Sequence, residues 1–186
     1  MRIVAGSAKG RVLAAPKSDD VIRPTADRVR ETIFNVLGQW CEGLTVLDLY
    51  AGTGALAFEA LSRGATSAVL VDSGREAQQL IRANTEALKF TGQAELLTLP
   101  ALKALESLAA HGRQFDLVFA DPPYQQEVCT TLMEKLASLN VVRPQGRVVL
   151  ERQKTEGLAD TFGAFTRVDE RTFGLTTVAI FELTVG

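Results

Sequence analysis

Histidine occurs once in this chain of 186 residues, at His111, and cysteine only twice, at Cys41 and Cys129. Neither thiol has a second ligand at metal-binding spacing, which counts against a zinc centre and a histidine-based triad, so no metal is expected. Both cysteines read as reduced packing residues, and His111 and the lone Trp40 read as structural by ordinary burial statistics. Also missing is any apolar run near the roughly 20 residues of a membrane span. The first residues do not follow the charged-then-apolar order of an export signal, so a cytoplasmic protein without membrane contact is expected. Charge of one sign is scarce as well: 20 Lys and Arg against 22 Asp and Glu leave −2, which argues against generic coating of nucleic acid.

What is present is a hydrophobic fraction of 46%, enough for one well-cored domain over residues 1–186. Its most informative stretch is Asp121-Pro122-Pro123-Tyr124, directly after the apolar run from Phe115 to Ala120. Two prolines fix φ at consecutive positions and remove two N–H donors, leaving a stiff loop whose carbonyls accept hydrogen bonds. An exocyclic amino group has hydrogens to give. Asp121 and the Pro122 carbonyl can take them, while Tyr124 offers a ring on which an unpaired base stacks. Asp-Pro-Pro is also a respectable turn sequence, and on its own the tetrapeptide leaves both readings open.

Its upstream partner is Asp48-Leu49-Tyr50-Ala51-Gly52-Thr53-Gly54, which ends a buried strand at Leu44 to Leu49 and precedes an amphipathic run from Ala55 to Arg63. A strand, a glycine turn and a helix make the first unit of a nucleotide-type crevice. Gly52-x-Gly54-x-x-Ala57 fits the dinucleotide fingerprint, and Asp72 ends the next strand where an acid would hold ribose hydroxyls. Asp48, however, would repel a pyrophosphate and attract the ammonium of a methionine moiety. The structural alternatives are a strand-end turn for Asp48 and a helix cap before Gly74 for Asp72. The third strand supplies no polar residue for an adenine, since Leu99-Pro100-Ala101 stands there.

From Thr45 onward strands and helices alternate, which is α/β. Strands are expected at Thr45 to Leu49, Ser67 to Asp72, Ala94 to Leu97, Phe115 to Ala120 and Arg147 to Glu151. Helices are expected at Ala55 to Arg63, Arg75 to Phe90, Ala101 to Ala110 and Gln126 to Leu139. Phe165 to Arg171 and Thr177 to Thr184 read as an antiparallel pair at the sheet edge. Ahead of this lies a basic segment, residues 1–22, with Arg2 to Ala5 and Arg11 to Ala14 as a short hairpin. Thr25 is expected to cap a helix from Ala26 to about Trp40. Arg2, Lys9, Arg11 and Lys17 meet no acid before Asp19, and Arg23, Arg28 and Arg30 follow. They read either as solvated edge charges or as a patch for phosphates.

Together these motifs resemble the class I S-adenosylmethionine-dependent methyltransferases of the RsmD type, which modify guanine N2 in bacterial small-subunit ribosomal RNA. The likeness spans essentially the whole chain. It rests on Arg23-Pro24-Thr25-Ala26-Asp27-Arg28-Val29-Arg30-Glu31-Thr32-Ile33-Phe34-Asn35, on Asp48 to Gly54, on Glu59 to Ala65 and on Asp121 to Tyr124. The resemblance implies a Rossmann-like, seven-stranded, mostly parallel sheet with one antiparallel strand, and S-adenosyl-L-methionine as cofactor. The implied substrate is 16S rRNA in a 30S subunit or assembly intermediate. Asp48, Tyr50, Ala51, Gly52 and Gly54 would hold the methionine end and Asp72 with Ser73 the ribose. Asp121, Pro122 and Tyr124 would be catalytic. Arg2, Lys9, Arg11, Arg23, Thr25, Arg28 and Pro123 would meet the RNA. The chain departs from the usual pattern at Tyr50, near Ser73 and at Phe173-Gly174-Leu175. Two other readings stay open: an adenine-N6 DNA methyltransferase, which shares the tetrapeptide, and a nonenzymatic RNA-binding assembly factor.

Overall fold

Buried runs of β-branched and aliphatic residues build the centre of the molecule. The computed structural model describes residues 1–16, 24–123 and 127–184, and of residues 24–26 the backbone only. Tyr124 and Arg23, expected to serve the site, and Lys17 of the basic segment therefore lie outside the described residues. The strands are β1 (Thr45–Leu49), β2 (Ser67–Val71), β3 (Ala94–Leu97), β4 (Phe115–Ala120), β5 (Val142–Gln153), β6 (Thr161–Phe162), β7 (Phe165–Phe173) and β8 (Thr176–Leu183). The helices are α1 (Pro24–Leu37), α2 (Ala55–Ser62), α3 (Arg75–Leu88), α4 (Ala101–Ala110) and α5 (Val128–Ser138). One sheet orders the strands β3-β2-β1-β4-β5-β8-β7-β6.

The first five of these positions are parallel, and β8 enters antiparallel against β5, followed by β7 and β6. The two-residue β6 makes eight strands where seven were expected; a run that short carries no periodicity to read. Successive residues of the central strands alternate between two buried layers, as both faces of a parallel sheet require. Val46, Leu70, Phe119 and Val149 join Phe34 and Phe58 in one layer, beside α1, α2 and α3. Leu47, Val69, Val118 and Leu150 join Leu105 and Leu132 in the other, beside α4 and α5. Phe34 and Phe119 meet at 5.7 Å between ring centroids, pinning α1 to the sheet.

Four local expectations need correction. Helix α1 starts at Pro24, whose fixed φ suits a first helical position, so Thr25 lies inside the first turn and not at the cap. Strand β5 begins five residues before Arg147, because Pro144-Gln145-Gly146 is absorbed as an irregularity: the register moves from Phe115↔Val142 to Leu117↔Arg147. The N-terminal hairpin keeps a single bridge, Arg2↔Val12, in place of two short strands. Trp40 is 67% exposed and fills no core site.

That N-terminal arm is nonetheless firmly seated. Ile3, Ala8 and Leu13 are buried in the same layer as Phe58. Glu59, wholly buried on α2, accepts the Val4 and Ala5 N–H groups at 2.8 and 3.0 Å. Its charge is met by Arg30 at 3.3 Å and Arg63 at 2.9 Å, and the Arg63 guanidinium lies over the Phe34 ring. Arg30, counted in the basic segment, is thus a buried structural residue, also bonded to Asp27 and the Arg2 carbonyl. Arg11 remains exposed but donates to the Ala87 carbonyl.

Candidate active site

Parallel strands deliver their last residues to one edge, and here that edge is lined with acids. Asp48 is level with Leu70 on β2 and Phe119 on β4, so it points into the layer holding α2. It is 2% exposed and accepts the Ala57 N–H at 3.1 Å, which aims the start of α2 at it. Burial raises its pKa well above the usual carboxylate range, and the nearby Asp121 and Asp72 charges push the same way. No cation is paired with it among the described residues.

Between β1 and α2 the backbone reverses through left-handed residues. Tyr50 has φ 58°, rare for a residue with a side chain, and the Ala51 N–H ties the turn to the Val71 carbonyl. The Tyr50 ring turns away from Asp48 and packs half-buried in the layer of α5. Gly54, at φ 79°, has no room for a side chain: a Cβ there would stand 2.4 Å from the Phe58 ring. Gly52, at φ 59°, has nothing within 4 Å on that side, so its backbone is open to a ligand.

Asp72 fastens the turn. One oxygen accepts the Gly52 N–H at 2.9 Å and the other the Gly74 N–H at 2.8 Å, while the residue that caps α3 is Gly74 and not Asp72. Ser73 beside it is exposed. Asn84 on α3, which sequence reasoning passed over, donates to the Thr53 and Ala14 carbonyls and accepts the Ala14 N–H. One buried amide thereby joins the basic arm to the glycine turn, and the Thr53 hydroxyl reaches the Met1 sulfur at 3.7 Å.

Asp121 follows the last residue of β4, with Pro122 buried and Pro123 exposed. Its carboxyl keeps a face to solvent, yet the protein packed around it pushes its pKa up to about 6. Directly alongside stands Glu151, brought there by the Ala120↔Leu150 register of β4 and β5. Burial and the Asp121 charge push Glu151 up to about 7. Sequence reasoning treated Glu151 as a strand end only, and its one signal is a register that no local pattern reveals. Arg2, Lys9, Arg11 and Arg28 are all exposed, and the first three sit on the arm beside the glycine turn.

At the opposite end of the sheet two acids are already paired. A concavity of about 510 Å³ at the amino edge of the sheet holds Asp116 and Glu182, but Arg143 and Arg147 pair with them at 2.8 and 3.0 Å. Cys41 and Cys129 are buried free thiols, pushed by burial to about 11 and about 12, in keeping with packing roles. His111 ends α4 with its ring against the Ser107 carbonyl. Among the described residues no group of three potential ligands could hold a metal, and no helix is long and apolar enough to cross a membrane.

Comparison with known proteins adds an independent line. Residues 1–182 match the family model described as conserved hypothetical protein 95. YlbH of Bacillus subtilis strain 168, provisionally named an rRNA methyltransferase, is 36% identical over 182 residues, 98% of each chain. Ribosomal RNA small subunit methyltransferase D of Escherichia coli K12 is 35% identical over 158 residues, 85% of this chain and 77% of that one. A solved Escherichia coli structure, yhhF, provisionally titled a methyltransferase, superposes with a TM-score of 0.86 at 30% identity, covering 100% of this chain and 99% of that one.

Proposed function

The chain belongs to the conserved hypothetical protein 95 family, that of the small subunit methyltransferase D proteins, and on that premise we propose that it methylates small-subunit ribosomal RNA. The cofactor is S-adenosyl-L-methionine and the acceptor is the exocyclic N2 of a guanine in a 30S particle or its assembly intermediate. The observation that carries this reading is Asp121, a carboxyl with a raised pKa at a strand end, flanked by two further acids and followed by two prolines.

The residues fit that cofactor better than a dinucleotide. Asp48 and Asp72 offer acceptors to an ammonium and to ribose hydroxyls, and a carboxylate at Asp48 would repel a pyrophosphate seated on the turn. The open side of Gly52 leaves room for the methionine end, and Leu99, 38% exposed after β3, offers an apolar face to a purine. When bound, S-adenosylmethionine supplies an electrophilic methyl group. The chain's part is to hold the acceptor. Asp121 and the Pro122 carbonyl would take the two amino hydrogens, favour a pyramidal nitrogen and stabilise the positive charge developing there. Positioning of this kind is worth about 7–11 kcal/mol of barrier. The stiff proline loop keeps the two acceptors in place, and the basic arm beside the glycine turn gives rRNA phosphates a landing surface.

Asp121→Ala should retain S-adenosylmethionine binding by calorimetry and lose incorporation of labelled methyl into 30S particles. Unaltered turnover would refute the role. Labelling of duplex DNA in place of particles would favour the adenine reading, and failure to bind the cofactor would favour a nonenzymatic factor.

A further inference from the structure

Asp121 has a partner that the reaction as described does not use. Glu151 is the tenth residue of β5 and faces the layer of Val149 and Val178, the same layer into which Asp48 points from two strands away. Asp121 lies between them, one residue past Ala120, whose register partner is Leu150. Adjacent strands are about 4.8 Å apart, so neighbouring strand ends place the two carboxylates side by side, from where they can converge on adjacent donors of one base edge. Neither carboxylate has a hydrogen-bond or salt-bridge partner among the described residues. The next residue, Arg152, does not neutralise the pair, for it is on the opposite side of the strand and bonded to Glu170 at 2.9 Å.

We propose that Glu151 reads the N1–H of the target guanine while Asp121 grips its N2 amino group, making Glu151 a specificity-determining residue for guanine. This rests on the guanine reading above and deepens it. The Watson–Crick edge of guanine presents two adjacent donors, N1–H and N2–H, next to one acceptor. Adenine and 2-aminopurine each present an unprotonated N1, an acceptor that a carboxylate repels. A lone acid beside an amino group cannot tell these bases apart, because all three offer an amino hydrogen. Two acids can. The pair also explains why the protein tolerates like charges at adjacent strand ends: the cost is recovered when the donor-rich edge arrives.

The test uses small-subunit particles reconstituted with rRNA carrying either guanine or 2-aminopurine at the accepted position. The 2-aminopurine keeps the reacting amino group and lacks the N1 proton together with the O6 acceptor. A carboxylate cannot bond to O6, so the change in the ratio on Glu151→Gln, and not the wild-type ratio alone, isolates the N1 contact. Wild-type protein should favour guanine by about 10–100-fold in kcat/KM, the discrimination expected of a good base-edge contact. Glu151→Gln, whose amide can donate to the bare N1, should bring that ratio close to one, with S-adenosylmethionine affinity by calorimetry unchanged. Glu151→Asp, retaining an acceptor, should keep the guanine preference at a lower rate, and serves if the amide variant melts early. Equal use of both bases by wild type, or an unchanged ratio in Glu151→Gln, overturns the assignment. No methylation of guanine particles by wild type, with cofactor binding intact, sinks the parent reading and this one with it.

Discussion

Glu59 and Asp48 are buried on the same face of the sheet, with Asp72, Asp121 and Glu151 partly open to water at its edge, yet the surroundings of Glu59 and of the crevice acids are opposite. Glu59 is met by two guanidinium groups and two backbone N–H groups, and nothing is left for a ligand to add. Asp48 has one backbone N–H and two repelling neighbours, while Glu151 has only a neighbouring acid. The chain can clearly neutralise a buried carboxylate, since it does so on α2. Leaving several others short of donors at a single strand edge points to donors supplied from outside, an ammonium, ribose hydroxyls and a base edge.

The sharpest way to break the contrast is to remove the satisfied acid. Glu59→Ala leaves Arg63 buried without a counter-charge, leaves Arg30 with Asp27 alone and unties the Val4 and Ala5 amides, a loss of about 3–5 kcal/mol. In a chain of this length that lowers Tm by roughly 10 °C. A thermal melt within 2 °C of wild type, about the shift of 1 kcal/mol at most, would show that the arm is held by its apolar contacts alone.

Asp48→Asn is the complementary change in the crevice. It removes repulsion toward Asp121 and Asp72, so Tm should hold or rise. S-adenosylmethionine affinity should fall about 10–100-fold, the worth of one charge-assisted contact to an ammonium. Calorimetry and a melt on the same sample separate the two effects. A fall in Tm like that of Glu59→Ala would place Asp48 among the structural acids.

The two kinds of acid were not equally legible. Asp48, Asp72 and Asp121 stand out because each sits beside a local mark, a glycine turn or a proline pair. Glu151 carries no mark; its meaning depends on β4 and β5 pairing Ala120 with Leu150, a contact 30 residues apart in the chain. Arg30 misleads for the same reason. It reads as one of several surface cations, and only the docking of α1 against α2 makes it the partner of Glu59, 29 residues on. The α/β alternation and the antiparallel edge pair were readable from the sequence, whereas the start of β5 was hidden by Pro144, which would end most strands. Asn84 is invisible as well, since a polar residue on an amphipathic helix reads as solvated until the arm folds over it.

A smaller effect separates the sites by pH. Asp121 and Glu151 are held at about 6 and about 7, above their ordinary values near 4. The unfolded chain therefore gives up these protons first, and stability falls as pH rises from about 4 through about 7. Glu151→Gln removes its share of that slope. At pH 8 the variant should melt roughly 2–4 °C above wild type, the shift that about 1 kcal/mol produces in a chain of this size, and at pH 4 the two should coincide. A variant less stable than wild type at pH 8 would mean that Glu151 has a hidden donor and belongs with Glu59.

The smallest expected effect tests the exposed cations against the buried one. Lys9 and Arg28 are exposed and pair with no acid among the described residues, unlike Arg30 in the same basic segment. Lys9→Ala with Arg28→Ala should shift Tm by less than about 1 °C, as surface changes usually do. Affinity for small-subunit particles should drop at low salt. If each cation neutralises one phosphate, the slope of log affinity against log salt becomes shallower by about 0.7–0.9 per residue removed, and the two proteins converge at high salt. An unchanged slope in filter-binding titrations would return both side chains to the class of solvated edge charges, and leave the arm's role with its seat on Glu59 rather than with RNA.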